Sequence, residues 1–320
     1  MRNSMLIHPE ELSKKWIDRL ADEGIGAIGI HPRGGKHAVN SLKELLEQMK
    51  RAEYRELIDY AKSRGLEVEY ELHAAGYLLP RELFEGNPEL FRMNENGERT
   101  ADYNLCVSNG EALDLCAQRA AELASSLYGS AERFYFWMDD GHGLSCSCPS
   151  CKKISPSDQQ LIVTNRMARA IRRYIPNARV AYLAYMDSVE CPTRIAPTEG
   201  VFLEYAPFEK YTAKGDNAAE LIKREREALL PLMRFFDREP KKVLEYWYDN
   251  SMFSKWKKPP KEFTLNETEM RKDIAEYKEL GFDGVSTFAC FLGNDYEELY
   301  GDVDIKPFAD VLMGTETEKE

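Results

Sequence analysis

The chain has 320 residues, a length that allows one large domain or two smaller ones. Its formal net charge of -12 argues against a nucleic-acid backbone or an anionic membrane surface as the main partner. The N-terminal residues lack an apolar core of signal-peptide length, and no segment approaches ~20 consecutive apolar residues, so we expect a cytoplasmic protein without a membrane partner. The seven cysteines, an odd number, fit a reducing compartment better than a disulfide framework.

Short apolar segments alternate with longer amphipathic ones along the chain, which is typical of repeated βα units. We predict strands at residues 4–8, 26–31, 66–73, 133–139, 179–186, 201–206, 242–248 and 284–290. We predict helices at residues 9–23, 41–64, 108–128, 157–174, 218–236, 266–280 and 304–313. Ser108, Ser157 and Asn266 are the predicted N-caps, and Gly65 and Gly281 are the predicted helix ends.

Eight strands with intervening helices predict a (β/α)8 TIM barrel of residues 1–313, with a disordered tail at 314–320. The fifth strand is followed only by a loop, so one helix is expected to be missing or degenerate. An open, doubly wound sheet is the alternative, and the absence of GxGxxG after the first strand weakens it. Since barrel active sites form on the segments that follow the strands, the long loops at residues 74–105, 141–156 and 249–264 predict the substrate face.

The third strand alternates apolar and acidic residues. Glu67, Glu69, Glu71 and His73 share one face, and the apolar residues between them share the other. If the apolar face meets the helices of a barrel, Glu71 and His73 line a polar pocket, because buried carboxylates need partners. The alternative is an edge strand with one solvated face.

Other predicted strands also end in acids. Asp139 and Asp140 end the aromatic fourth strand, and Glu204 and Glu245 lie on the sixth and seventh. Such acids among aromatic rings are typical of a sugar site, where the rings pack against C–H faces and the carboxylates bind hydroxyls. For any single aromatic, a core role is the alternative. The aromatic residues near these acids are Trp137, Tyr185, Tyr205, Trp247, Phe253 and Trp256.

A carboxylate pair suits glycoside cleavage, in which one acid protonates the leaving oxygen while a second group supports the transition state. Asp139 and Asp140 are adjacent, so alternation points their side chains in different directions. One is expected to donate the proton and the other to orient an N-acetyl group, and the sequence leaves open which does which. The alternative is that one of them only caps a loop or holds a basic side chain.

The loop after the second strand is cationic and rich in glycine. It begins at His31 and continues through Arg33, two glycines and Lys36. Glycines let backbone amides approach a ligand closely, so the loop is expected to bind an anionic or hydroxyl-rich group. It lacks the spacing of a P-loop.

Cys146, Cys148 and Cys151 form a CxCxxC motif, which predicts a structural zinc site. Such a site needs a fourth ligand, and Cys106 and His142 are the two candidates. Three thiols without a metal are the alternative. The spacing is not that of an iron–sulfur ferredoxin, and nothing indicates an organic cofactor.

Several longer segments carry a family likeness. They are HAAGYLLPRELF at 73–84, DYNLCVSN at 102–109, the Asp-Asp and CxCxxC block, SDQ at 157–159 and LEYWYDNS at 244–251. They resemble the DUF4838 proteins, which are similar to glycoside hydrolases and include the family 163 endo-β-N-acetylglucosaminidases. The resemblance covers roughly residues 25–300 and implies a TIM barrel that cleaves sugars, with N-acetyl assistance. Related hexosaminidases carry Asp-Glu where this chain has Asp139 and Asp140.

These observations favour a retaining, β-N-acetylglucosaminidase-like glycoside hydrolase that acts on an amino-sugar or uronic-acid linkage. Asp140 is the predicted general acid, and Asp139 is predicted to orient the substrate. The alternatives are a carbohydrate-binding barrel without turnover and a zinc-dependent hydrolase. The sequence does not indicate an oligomeric state. The predicted sugar contacts are His31, Glu71, His73, Tyr185, Glu204, Glu245 and Trp247.

Overall fold

The computed structural model describes residues 2–314 and contains a closed parallel barrel. Each strand pairs with the next along the chain, and the last pairs with the first. This closure confirms the predicted (β/α)8 barrel and excludes the open sheet. The strands are β1 Ser4–Ile7, β2 Ala27–Ile30, β3 Glu67–His73, β4 Arg133–Trp137, β5 Arg179–Ala184, β6 Val201–Tyr205, β7 Lys242–Glu245 and β8 Gly284–Phe288.

Helices surround the barrel and add short turns at its loops. The helices are α1 Lys14–Asp22, α2 Ala38–Gln48, α3 Ala52–Ser63, α4 Ala75–Leu78, α5 Gly110–Ser126, α6 Pro156–Ile171, α7 Glu209–Thr212, α8 Ala218–Phe235, α9 Asn250–Phe253, α10 Glu267–Leu280, α11 Asn294–Tyr300 and α12 Lys306–Met313. Single 3-10 turns lie at Pro9–Glu11, Gly35–His37, Arg81–Glu85, Pro88–Leu90, Cys151–Lys153 and Met186–Ser188. The turn at Met186–Ser188 is the only helical element between β5 and β6, as expected from the sequence.

Side-chain caps define where several helices begin. Asn266 accepts a hydrogen bond from the backbone of Glu269 and caps α10, as predicted. The caps of α5 and α6 are Asn109 and Ser155, so the predictions of Ser108 and Ser157 were wrong by one and two residues. The helix predicted over 41–64 is two helices, α2 and α3, because the chain turns between them.

The strands divide the interior into two cores. Val68, Tyr70 and Leu72 point outward from β3 and pack under the helices. Side chains such as Leu6 and Phe202 point inward and fill the barrel itself. Burying a large apolar side chain stabilises a fold by about 1.5–3 kcal/mol, so both layers contribute. The alternation predicted for β3 is therefore confirmed.

The C-terminal end of the described chain is α12, which Gly314 closes in a left-handed conformation with φ of 71°. Apart from Gly314, the predicted disordered tail lies outside the described residues. Within residues 2–314, no helix is long and apolar enough to span a bilayer.

Candidate active site

A cleft of about 430 Å³ opens at the C-terminal end of the barrel, and we call it the mouth cleft. Residues at or after the C-terminal ends of all eight strands line it, which is where barrel enzymes carry their active sites. Four of the five histidines of the chain belong to this lining. The polar and charged lining residues are His8, His31, Arg33, Lys36, His37, His73, Asp140, Asp249 and Ser251, with Tyr185 and Tyr246.

Three of these histidines have the same hydrogen-bond pattern. Nδ1 of His8, His31 and His73 lies 2.8 Å from a backbone carbonyl oxygen, that of His31, Glu71 and Met138 respectively. A carbonyl oxygen only accepts, so Nδ1 of each ring carries the hydrogen. When neutral, each ring therefore has Nε2 as a hydrogen-bond acceptor, which suits the hydroxyl groups of a ligand.

His31 lies at the centre of this group of rings. Its ring centroid is 5.9 Å from that of His73 and 5.6 Å from that of Trp137. Burial, followed by the neighbouring rings of His73 and His8, holds the pKa of His31 well below its usual range. His31 is therefore a neutral acceptor at pH 7.

Asp140 follows β4 and faces the mouth cleft. Its Oδ1 accepts a hydrogen bond from the phenol of Tyr185 at 3.0 Å. The loop after β2 passes close by, since a Cβ added to Gly34 would lie 3.3 Å from Oδ2 of Asp140 and 2.9 Å from Cδ2 of His73. A residue with a side chain at Gly34 would crowd both groups, which explains the glycine.

Asp249 is the second carboxylate of the mouth cleft. Its Oδ1 accepts hydrogen bonds from the backbone and hydroxyl of Ser251 and from the backbone of Met252. Burial raises the pKa of Asp249, although these donors act in the opposite direction. The phenol of Tyr246 lies near both Asp140 and Asp249. Burial, followed by the charges of these two carboxylates, raises the pKa of Tyr246 well above its usual range.

Asp139 points away from the mouth cleft. Its Oδ2 accepts hydrogen bonds from Nη2 of Arg81 at 2.6 Å and from the backbone of Asn104 at 2.5 Å. Its own backbone N–H donates to Oδ1 of Asn104 at 2.9 Å. The structure thus corrects the prediction that Asp139 orients a substrate, because its carboxylate ties the loop after β4 to the loop after β3.

Glu71 and Glu204 lie below the mouth cleft, inside the barrel, and are fully buried. With Glu69 they surround the buried Lys242, whose Nζ is 3.2 Å from Glu69 and 2.5 Å from Glu71, and we call these four residues the interior network. Nε1 of Trp137, in the floor of the cleft, donates to Glu204 at 2.8 Å. The predicted substrate contacts of Glu71 and Glu204 are therefore corrected, because these carboxyls bind the protein itself.

Burial sets the ionisation of the interior network. It raises the pKa of Glu204 to about 7, although Lys242 and the indole of Trp137 oppose the rise. It also raises the pKa of Glu71 well above the usual range, even with Lys242 beside it. For Glu69 burial acts in the same direction, but Lys242 and Arg133 outweigh it and lower the pKa. The buried Lys242 thus lies among carboxyl groups whose pKa values shift in opposite directions, upward for Glu71 and downward for Glu69.

Glu245 and Trp247 point towards the helices, so their predicted sugar contacts are also corrected. Glu245 is fully buried and accepts hydrogen bonds from Lys210 at 2.6 Å and Tyr211 at 2.8 Å. Nε1 of Trp247 donates to Asp273 of α10 at 3.0 Å. The inward positions of β7 are Lys242 and Leu244, and alternation turns Glu245 outward.

Comparison with known proteins identifies the family of this chain. The family model described as "Domain of unknown function (DUF4838)" matches residues 38–227, more than half of the chain. The chain belongs to the DUF4838 family. The resemblance inferred from the sequence motifs is thus confirmed at this level, and the likeness to glycoside hydrolase family 163 stays a prediction. No curated protein matches the sequence.

Solved structures similar to this DUF4838 protein share its barrel at low sequence identity. Endo-glycoceramidase II from Rhodococcus sp., as a lactosyl-enzyme intermediate, superposes with a TM-score of 0.53 at 11% identity over 90% of this chain and 73% of its own. The β-galactosidase of the psychrophilic Marinomonas ef1 gives 0.58 at 10% identity, over 98% and 59% of the two chains. ZgEngAGH5_4 in complex with a cellotriose gives 0.54 at 10% identity, over 94% and 88%. At these identities the comparisons support the fold alone.

Of the predicted site residues, the DUF4838 structure brings His31, His73, Asp140 and Tyr185 together in the mouth cleft. The sequence prediction did not name Asp249, His8 or Tyr246 as site residues, although the third loop predicted on the substrate face begins at Asp249. His8 directly follows β1, and its position at a strand end was a usable signal. Asp249 was harder to assign, since β7 ends at Glu245 and the chain turns before it reaches Asp249.

The cysteine motif of the DUF4838 chain forms a cluster outside the mouth cleft. The sulfur atoms of Cys106, Cys146, Cys148 and Cys151 all lie within 4.8 Å of one another, and all four residues are buried. His142, the other candidate fourth ligand, instead places Nδ1 2.9 Å from Asp187. The fourth member of the cluster is therefore Cys106, and the cluster could hold a metal ion outside the lining of the mouth cleft.

Proposed function

We propose that the protein is a glycoside hydrolase whose active site is the mouth cleft. The observation that carries this proposal is that two carboxylates from different loops, Asp140 and Asp249, line one cleft at the C-terminal end of a TIM barrel. Glycoside cleavage uses such a pair. Known structures of similar fold support the proposal, since the Rhodococcus protein was solved as a lactosyl-enzyme intermediate and ZgEngAGH5_4 with a cellotriose.

In the proposed reaction, Asp140 is the general acid. It gives its proton to the glycosidic oxygen as the bond between that oxygen and the anomeric carbon breaks. The phenol of Tyr185, 3.0 Å from Oδ1, fixes the orientation of the carboxyl group. Oδ2 then serves as the proton-bearing oxygen, and after the leaving group departs it takes a proton from the attacking water.

Asp249 is proposed as the carboxylate that supports the developing positive charge and bonds to the anomeric carbon. Ser251 and Met252 hold its Oδ1, so Oδ2 is the oxygen for this bond. Water then releases the sugar with retention of configuration. N-acetyl assistance, implied by the family resemblance, loses support because Asp139 is turned towards Arg81.

The lining of the cleft supports an amino sugar or a uronic acid as the substrate. The rings of Trp137, Tyr246 and Phe288 are a surface for the C–H face of a sugar. Nε2 of His31 and His73 can accept hydrogen bonds from hydroxyl or amide groups. Arg33 and Lys36 bring positive charge to the cleft, which favours a carboxylate substituent.

The proposed partner is thus a carbohydrate, and we propose a cytoplasmic location for the protein. No disulfide joins any of the seven cysteines, which all lie within the described residues, and this fits a reducing compartment.

The test compares Asp140→Asn and Asp249→Asn with the wild type on phenyl and 2,4-dinitrophenyl glycosides of N-acetylglucosamine, glucuronic acid, galactose and glucose. Loss of the general acid should lower kcat about 10²–10⁴-fold for phenyl glycosides, whose leaving group needs a proton. It should have much less effect on dinitrophenyl glycosides. Asp249→Asn should slow both series, and the exposed Asp216→Asn should change neither.

Two outcomes would overturn parts of this proposal. Unchanged rates of Asp140→Asn on a phenyl glycoside that the wild type cleaves would remove Asp140 as the acid. Calorimetric binding of a sugar with no product after long incubation would favour a carbohydrate-binding barrel without turnover.

A further inference from the structure

Four thiols from two separate loops meet beside the mouth cleft. Cys106 comes from the loop between β3 and α5, and Cys146, Cys148 and Cys151 come from the loop between β4 and α6. We propose that these four cysteines bind one structural zinc ion. This inference is independent of the proposed glycosidase activity, because it depends only on the sulfur positions and their surroundings.

The spacing of the sulfur atoms fits a tetrahedral zinc site. A zinc–sulfur bond of about 2.3 Å places the sulfur atoms of a tetrahedron about 3.8 Å apart. Sγ of Cys106 lies 3.7 Å from Sγ of Cys148 and 3.9 Å from Sγ of Cys151. A disulfide would need about 2.05 Å, so these pairs are not bonded to each other, and all four sulfur atoms lie within 4.8 Å of one another.

A backbone N–H and a hydroxyl lie beside the thiols, in the position of the outer partners that orient zinc ligands. The backbone N–H of Met93 lies 3.3 Å from Sγ of Cys146. The hydroxyl of Ser108 lies 3.2 Å from Sγ of Cys106 and 3.5 Å from Sγ of Cys148. The Met93 N–H is a donor that stabilises negative charge on Sγ of Cys146, and the Ser108 hydroxyl can either donate to a sulfur atom or accept from one.

Hydrogen bonds within the protein also hold the backbone of the motif. The side-chain amide of Gln159, on α6, accepts from the backbone of Cys146 at 3.0 Å and donates to the carbonyls of Cys146, Cys151 and Ile154. Gln159 is itself buried. The Gln159 contacts therefore support the backbone that carries Cys146 and Cys151.

Four sulfur ligands close the coordination shell of zinc and leave no position for water, so the ion is structural. Its role is to join the loops after β3 and β4. The same two loops are linked by Asp139 to Arg81 and Asn104, immediately before Asp140. Zinc would therefore fix the segment that carries Asp140 without contacting a substrate.

The first test measures the metal in the full chain, produced with zinc in the medium and purified without chelators. Elemental analysis should give about one zinc per chain, and X-ray absorption should give four sulfur neighbours at about 2.3 Å. Iron in place of zinc would overturn the assignment of the metal. A metal-free chain whose four cluster thiols all react with iodoacetamide, or are found as disulfides, would overturn the site.

The second test uses Cys106→Ser with Cys116→Ser and Cys290→Ser as controls, since both control cysteines are buried outside the cluster. Loss of a ligand should weaken zinc binding by more than the ~10–100-fold that loss of an outer partner costs. Both controls should keep their zinc. Zinc content unchanged in Cys106→Ser would exclude Cys106 as a ligand. If this variant fails to fold, the X-ray absorption measurement on the wild type still tests whether four sulfur atoms bind the metal.

Neither measurement uses a sugar substrate. Failure of the zinc proposal therefore leaves the glycosidase proposal intact, and the reverse also holds.

Discussion

The interior network and the mouth cleft lie on the inner side of the same barrel, yet they use acidic side chains differently. Glu69, Glu71 and Glu204 are fully buried and surround Lys242. Asp140 and Asp249 instead bind neutral donors, a phenol in one case and a hydroxyl with two backbone N–H groups in the other. The acids of the interior network share the cation of Lys242, whereas Asp140 and Asp249 border a cleft that a ligand can fill.

This difference shows that an inward-pointing acid is not by itself a sign of function. On the strands, an inward side chain lies inside a packed barrel and needs a partner from another strand. Beyond the ends of the strands, the same residue type borders a cleft. Among the acids that point inward, position relative to the strand end therefore separates the structural ones from the candidate catalytic ones. Asp139 also lies beyond a strand end, but it is turned towards Arg81 and does not line the cleft.

Removing the cation of the interior should have the largest effect. Lys242→Met leaves three buried carboxyl groups without their shared cation, so the free energy of unfolding should fall by roughly 3–5 kcal/mol. Urea denaturation followed by circular dichroism measures the change. The neighbouring Lys241→Met, at a partly exposed position, should stay within about 0.5 kcal/mol of the wild type.

An equal loss in the two lysine variants would contradict the assignment of Lys242 as the centre of the network. A loss of catalytic activity in Lys242→Met without any loss of stability would instead indicate that Lys242 serves the active site and not the stability of the barrel.

A smaller, pH-dependent effect is expected for Glu204→Gln. Burial raises the pKa of Glu204 from 4.5 to about 7, so between these values the folded state keeps a proton that the unfolded chain has lost. The free energy of unfolding should therefore decrease as the pH rises from 4.5 to about 7, by at most about 3.4 kcal/mol at 1.36 kcal/mol per pKa unit. Urea titrations at several pH values should show this slope flattened in Glu204→Gln.

The exposed Glu56→Gln is the matched control, and its slope should equal that of the wild type. If Glu204→Gln also keeps the wild-type slope, the proton is held elsewhere in the network.

The smallest effect is expected at the rim of the mouth cleft. Trp256 lines the cleft with 65% of its surface exposed, so Trp256→Ala should change the free energy of unfolding by less than about 0.5 kcal/mol. On a substrate that the wild type cleaves, loss of ring stacking should raise KM about 2–10-fold. Tyr174→Ala, at an exposed ring outside the cleft, should leave KM unchanged, and equal KM values in both variants would remove Trp256 from the site.

The fold could be predicted because its signals are local. Each strand is a short apolar or alternating segment, and the predicted starts agree with the structure within one residue, as at Ser4 and Lys242. The ends were less certain, because apolar residues continue past the last ladder hydrogen bond. The strand predicted over 242–248 ends at Glu245, three residues early.

The site was predicted in part for the same reason. His31, His73 and Asp140 lie at strand ends that the pattern located well. Glu71 and Glu204 were misassigned because the partner that neutralises them, Lys242, is 171 residues from Glu71 along the chain. The face of Glu245 was misjudged because its partners Lys210 and Tyr211 lie on a helix that the sequence pattern did not reveal.

Trp137 belongs to both regions. Its side chain lines the cleft, while its N–H donates to Glu204 at 2.8 Å. Because the pKa of Glu204 is raised to about 7, the acceptor of that bond changes charge near neutral pH. The position of the Trp137 ring therefore depends on the charge of a carboxyl group that a ligand in the cleft does not contact. We expect the shape of the cleft to change with pH through this hydrogen bond.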